Sequence, residues 1–68
     1  MRWHRHKPQV YVMMGEKFGA IVAKGMDGVW WWQVKHRLGM PVAAGRRTRL
    51  ADAKTAVEEN IDALQHGI

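Results

Sequence analysis

The side chains that could do chemistry in this chain are mainly those that bind anions and stack on flat rings. Trp31, Gln33, Lys35 and Arg37 occupy alternate positions. Alternate residues of an extended strand point to the same face, so the four would form one row. Cations neutralise phosphates, an aromatic face stacks on a base, and Gln or Arg can read base edges. The row therefore predicts a surface that binds nucleic acid.

A second group of cations precedes the C-terminal segment. Arg46, Arg47 and Arg49 stand near the predicted start of a helix, where unpaired N–H groups and the positive dipole end attract phosphate. Lys24, on the strand next to Trp31, is expected to share its face. The nucleic-acid-binding residues predicted from the sequence are Lys24, Trp31, Gln33, Lys35, Arg37, Arg46, Arg47 and Arg49.

Residue types that serve as nucleophiles or metal ligands are scarce. Serine and cysteine are absent, and Thr48 and Thr55 have no histidine placed by sequence to activate them. His4 and His6 would share a side of an extended segment, but no cysteine or nearby acid completes a metal site. The glycines form no phosphate-binding loop pattern. We therefore expect no enzyme activity, no metal and no cofactor.

The charge of the chain is polarised along its length. Its 68 residues carry a net charge of +5, made up of +8 over residues 1–49 and −3 over residues 50–68. Such asymmetry favours a polyanionic partner for the basic part, although a basic protein without such a partner is the plain alternative. No segment approaches the roughly 20 apolar residues that span a bilayer. We expect no membrane contact and a cytoplasmic protein.

The pattern of apolar residues predicts an α+β fold, in which an antiparallel three- to four-stranded β-sheet packs on one face against a single C-terminal α-helix at about 49–65. Thr48 suits the N-cap of that helix. Apolar residues recur along it at steps of three and four. The stripe consists of Leu50, Ala53, Val57, Ile61, Leu64 and Ile68. The strands are predicted at 10–14, 20–24 and 29–37, with 42–44 as a short fourth.

We expect a single domain over residues 1–68, with residues 1–8 as a loose arm or an extension of the first strand. Either a monomer or a homodimer is compatible with so small a chain.

Alternation sorts the long third strand into two faces. The uniformly apolar set, Trp30, Trp32 and Val34, should meet the helix, which leaves Trp31 on the uncovered face. On the neighbouring strand we expect Ile21 and Ala23 to point inward, and Val22 and Lys24 to point outward.

The exposed position predicted for Trp31 has two other interpretations. Trp31 could simply pack on the aliphatic stems of Lys and Arg across strands, which contributes about 0.2–1 kcal/mol per pair. An exposed Trp beside Arg is also typical of protein–protein hot spots, so an interaction module or inhibitor is the alternative function. Nucleic acid is favoured because the basic bias extends well beyond one patch.

The segment from Gly19 to Leu64 resembles two related patterns. In small phage and prophage proteins, a Gly-x-Trp-x-Trp-x-Val hairpin precedes Thr/Ser-Leu-x-x-Ala-Lys and a helix, and most such proteins have no assigned activity. Here the two parts are Gly28-Val29-Trp30-Trp31-Trp32-Gln33-Val34 and Thr48-Arg49-Leu50-Ala51-Asp52-Ala53-Lys54, in which Arg49 stands between the Thr and the Leu of the pattern. This resemblance implies a small phage-type accessory protein in the cytoplasm of a bacterium or phage-infected host.

The other pattern is the arm-type DNA-binding domain of tyrosine recombinases and the similar AP2 domain. In these, a three-stranded sheet enters the major groove and a helix supports it from behind. This resemblance implies that Trp31, Gln33, Lys35 and Arg37 face DNA. The double-stranded-RNA-binding fold matches less well, so DNA is expected rather than RNA.

Overall fold

The computed structural model describes residues 3–36 and 39–66. It shows a five-stranded antiparallel sheet and one C-terminal helix, which confirms the α+β class. The strands follow one another in the sheet as they do in the chain. They are β1 (Trp3–Lys7), β2 (Val10–Met14), β3 (Phe18–Lys24), β4 (Trp30–His36) and β5 (Pro41–Arg47), and the helix is α1 (Leu50–His66).

The sheet has five strands rather than three to four, because β1 pairs with β2 at one edge and β5 pairs with β4 at the other. β1 forms a hairpin with β2 and has an irregular register between Arg5 and Lys7. Pro8 lies in the turn of that hairpin, where its missing N–H removes no ladder hydrogen bond. β5 covers seven residues instead of the expected three, and Pro41 is tolerated as the first residue of this edge strand.

The pairing of β3 with β4 corrects the predicted faces of β3. Val22 pairs with Trp32 and Lys24 with Trp30 across the loop of residues 25–29. Residues directly opposite each other share a face, so Val22 and Lys24 lie on the helix side of the sheet. Val22 is fully buried, whereas Ile21 is 38% exposed on the other side. The predicted faces of these four residues were therefore wrong. Val22 and Lys24 lie on the helix side, and Ile21 and Ala23 lie on the opposite side.

The predicted faces of β4 are confirmed. Trp32 and Val34 are buried against the helix, and Trp31 is exposed. Trp30 is half-buried beside the core and lies 6.1 Å from the ring of Tyr11. The buried core consists of Met13, Ala20, Val22, Trp32 and Val34 from the sheet, and Ala53, Ala56, Val57 and Ile61 from the helix.

The ends of α1 differ from the sequence prediction. Its first hydrogen bond runs from the Ala53 N–H to the Arg49 carbonyl over 3.0 Å, so Arg49 and not Thr48 is the N-cap residue. Leu64, which was expected in the core, is 43% exposed, as the whole last turn of the helix is exposed. Ile68 lies outside the described residues. No helix in the described part of the chain is long and apolar enough to cross a bilayer.

A polar and aromatic cluster ties the first two strands to the helix beside the core. The Trp3 indole N–H donates to the Glu58 carboxylate over 3.0 Å. Lys54 Nζ lies 4.3 Å from the ring centroid of Tyr11 and 5.6 Å from that of Trp3. These distances are within the range of cation–π attraction. The helix therefore holds β1 and β2 through side chains that reach past its apolar stripe.

The indole of Trp32 lies directly on the backbone of β5. A Cβ atom at Gly45 would stand 2.6 Å from Cζ2 of Trp32 and 2.9 Å from its Nε1. Protein interiors are close-packed, so no side chain fits between this ring and the strand. Glycine at position 45 is therefore required for Trp32 to occupy the core.

We predict that Gly45→Ala lowers the free energy of unfolding by about 1–3 kcal/mol, because Trp32 has to leave its position. Urea denaturation followed by circular dichroism measures the change. Gly19→Ala is the matched control, since its Cβ would meet the exposed, flexible Met14 side chain at 3.3 Å. Equal stabilities for the two variants would contradict this account of the core.

Candidate nucleic-acid interface

We call the side of the sheet opposite α1 the open face. None of the five strands contains Asp or Glu, whereas together they carry six Lys and Arg residues. The acidic residues lie instead in two turns, at Glu16 and Asp27, and in α1. The sheet is therefore the basic layer of this fold, and the helix behind it is the acidic layer.

The centre of the candidate interface is a contact between Trp31 and Arg46. The two residues are directly opposite each other in the β4–β5 pairing. The guanidinium carbon of Arg46 lies 5.5 Å from the centroid of the Trp31 ring, within cation–π range. Trp31 is nevertheless 47% exposed. The contact therefore leaves about half of the Trp31 side chain exposed.

Gly25 supports Trp31 from the side of the β3–β4 loop. A Cβ atom at Gly25 would lie 2.9 Å from Nε1 of Trp31 and 3.1 Å from its Cδ1. The Gly25 N–H donates to the Val29 carbonyl over 2.8 Å, which fixes the loop. Trp31 is thus confined between the loop and Arg46. The sequence prediction missed this role of Gly25 because it depends on a close approach between a loop and a ring.

Gln33 and Lys35 continue the row along β4. Gln33 pairs with Ile21 on one side and Ala44 on the other, and it is half-buried among them. Lys35 is exposed and pairs with Gly19. Gln33 presents an amide that can donate and accept hydrogen bonds, and Lys35 presents a point charge that suits phosphate.

Other residues of the predicted site lie elsewhere. Lys24 and Arg47 pair with Trp30 from its two neighbouring strands, so both are on the helix side of the sheet. Arg47 there lines a hollow together with Asp52 and Glu59, whose carboxylates oppose the binding of an anion. The predicted face of Lys24 was therefore wrong. Arg46 lies on the open face and Arg47 on the helix side, so the arginines predicted as one cluster are divided.

Arg49 is exposed at the N-cap of α1, apart from the row on β4. Arg37 was predicted to end that row, but it lies outside the described residues. Trp31, Gln33, Lys35 and Arg46 are the predicted site residues that the structure brings together on the open face.

The open face is also more apolar than the sequence analysis predicted. Residues on β2 and β3 that point away from the helix side place hydrocarbon beside the row of β4. They are Val10, Val12, Ile21 and Ala23. The length of the β3–β4 loop could have predicted them. Because an odd number of residues separates the strands, even-numbered residues of β3 lie opposite even-numbered residues of β4 and share their face.

Among the described residues, the two histidines of β1 have no third potential metal ligand beside them. His4 and His6 are both exposed. Within residues 3–36 and 39–66, no three His, Cys, Asp or Glu side chains come together in an arrangement that could hold a metal ion.

We predict opposite consequences for two adjacent tryptophans. Trp32→Ala removes a buried ring and should lower the free energy of unfolding by about 3–5 kcal/mol, enough to unfold so small a domain. Trp31→Ala removes an exposed ring and should cost about 1 kcal/mol or less. Circular dichroism during urea denaturation compares them. Unfolding by both variants to the same extent would refute the assignment of faces.

The function of this surface has to be inferred from its own geometry. Comparisons with family models, with curated proteins and with solved structures find no match to this chain.

Proposed function

We propose that this chain binds nucleic acid through the open face of its sheet and does so without catalysis. The observation that supports this most is the contact of Arg46 with a half-exposed Trp31 on a sheet whose strands carry no acidic residue. A base or sugar can pack on the ring while the guanidinium meets a phosphate. The base or sugar of a nucleotide would thus contact Trp31, and its phosphate would contact Arg46.

The arrangement of charge supports the same proposal. Lys35 and Arg46 lie on the open face, and Asp52, Glu59 and Asp62 are exposed on the helix. Lys35 and Arg46 attract a polyanion, whereas the exposed carboxylates of α1 repel it, so approach to the open face is favoured over approach to the outer surface of the helix. Interactions of exposed charges with phosphates are weakened by salt because bound counterions no longer gain as much entropy on release.

A protein partner with an acidic surface is the competing function. It would use the same ring and cations as a hot spot. Such a partner would present carboxylates at fixed positions on a folded surface, and it would not need phosphate. A bare oligonucleotide does not supply such carboxylates. Oligonucleotide binding at low salt therefore separates the two functions.

We predict that a fluorescein-labelled oligonucleotide binds this protein at low salt and is released as salt rises. In fluorescence anisotropy titrations, the slope of log K against log salt should be about −0.7 to −0.9 for each phosphate that is neutralised. Absence of any binding at low ionic strength would contradict the proposed function.

We predict that Arg46→Gln weakens this binding by about tenfold, since a charged hydrogen bond to phosphate is worth roughly 1.4 kcal/mol or more. The salt slope should become shallower by about 0.7–0.9. Arg47→Gln is the matched control, because it removes the same charge from the next residue on the other face of the same strand. If the two variants lose equal affinity, net charge and not the open face accounts for binding.

A further inference from the structure

A row of residues crosses the whole open face from one edge of the sheet to the other. Strand pairing places Lys7 opposite Val10, Val10 opposite Ala23, Ala23 opposite Trp31 and Trp31 opposite Arg46. The row therefore has a cation at each edge of the sheet and apolar or aromatic groups between them. Its span is about 19 Å, since neighbouring strands are about 4.8 Å apart.

The next row repeats the apolar centre. It joins His4, Val12, Ile21, Gln33 and Ala44. Ile21 is 38% exposed, and Gln33 is the one amide in this row. The middle of the open face is thus formed by apolar side chains with an aromatic ring beside them, and cations lie at the two edges of the sheet and, at Lys35, near one end of β4.

Resting on the proposed function, we propose that the ligand of the open face is single-stranded nucleic acid. In a single strand the flat faces of the bases are free, and they can rest on Val12, Ile21 and Trp31. The phosphates of the same strand then lie toward the edges, where Lys7 and Arg46 neutralise them. The cations of the open face thus match the phosphates of the ligand, and its apolar and aromatic side chains match the bases.

A duplex matches this surface less well. Its bases are stacked on one another, and only their polar edges are accessible in the grooves. The major groove is about 12 Å wide, so a sheet about 19 Å across cannot enter it whole. Contact with a groove would also cover polar base edges with Val10, Val12 and Ile21, which offer no hydrogen bonds in return.

A hollow on the sheet offers a second position for a base. It has a volume of about 280 Å³, and Val12, Met14, Gly19, Ile21 and Lys35 are among its lining residues. Trp31 and Lys35 are four residues apart on β4, which corresponds to about 13 Å along an extended strand. Two separate places for bases along the direction of β4 suit a chain of nucleotides better than a single small molecule.

A second copy of this chain is a poorer occupant of the open face. Two copies packed face to face would bring Lys7, Lys35 and Arg46 of one copy near the same three cations of the other, with no Asp or Glu on the strands to pair with them. Burying like charges without partners is unfavourable, whereas a polyanion offsets them.

The test measures binding of one labelled oligonucleotide of about 12 nucleotides, alone and annealed to its complement, at the same ionic strength. We expect the single strand to bind at least about tenfold more tightly. Equal or tighter binding of the duplex would overturn this inference and leave the proposed function intact. If neither form binds, the proposed function fails, and with it this inference.

Two variants test the roles of edge and centre. Lys7→Gln should weaken single-strand binding several-fold, whereas Lys24→Gln, on the helix side of the sheet, should leave it unchanged. Ile21→Thr keeps a β-branched side chain but adds a hydroxyl, and it should weaken single-strand binding about threefold without changing duplex binding. Equal losses for Lys7→Gln and Lys24→Gln, or no loss for Ile21→Thr, would overturn the proposed arrangement.

Analytical ultracentrifugation of the free protein tests the occupation of the open face by a second copy. We expect a monomer whose sedimentation does not change with Trp31→Ala. A dimer that this substitution dissociates would overturn the inference, because the face would then be covered by protein.

Discussion

The pairing of Lys24 with Trp30 across the β3–β4 loop decides which side of the sheet every aromatic residue of β4 occupies. Because side chains alternate along a strand, a shift of one residue would exchange the buried and exposed sets. With the observed pairing, Val22 meets Trp32 inside and Ala23 meets Trp31 outside. The core, the open face and the position of Arg46 all depend on this register.

The consecutive tryptophans of β4 divide stability and surface chemistry between them. Trp32 is buried on the bare backbone of Gly45, so its ring helps to fill the space between sheet and helix. Trp31 is held between Gly25 and Arg46 on the other side and remains half-exposed. A domain of this size has a low free energy of unfolding. Placing the core tryptophan and the surface tryptophan on one strand requires few residues. The exposed ring is thus supported by a strand that the core already holds in place.

The fold class, the position of the helix and the faces of β4 could be predicted from the sequence because each depends on local periodicity. β1 and the full length of β5 could not, since His-Arg-rich and Ala-Gly-rich segments have weak strand propensity and are held by pairing with their neighbours. The face of Lys24 was missed because register depends on the loop length and not on the strand alone. Arg46 was predicted as a site residue, but its contact with Trp31 required knowledge of the β4–β5 pairing.

We propose that the open face, and not the helix, meets nucleic acid. The most direct measurement is a ¹H–¹⁵N NMR titration of the labelled protein with a single-stranded oligonucleotide, in which the four indole N–H signals report on each tryptophan separately. We expect the Trp31 indole and the amides around Gln33, Lys35 and Arg46 to shift, while the Trp32 indole and the exposed side of α1 do not. Shifts confined to α1, or no shifts at all at low salt, would contradict it.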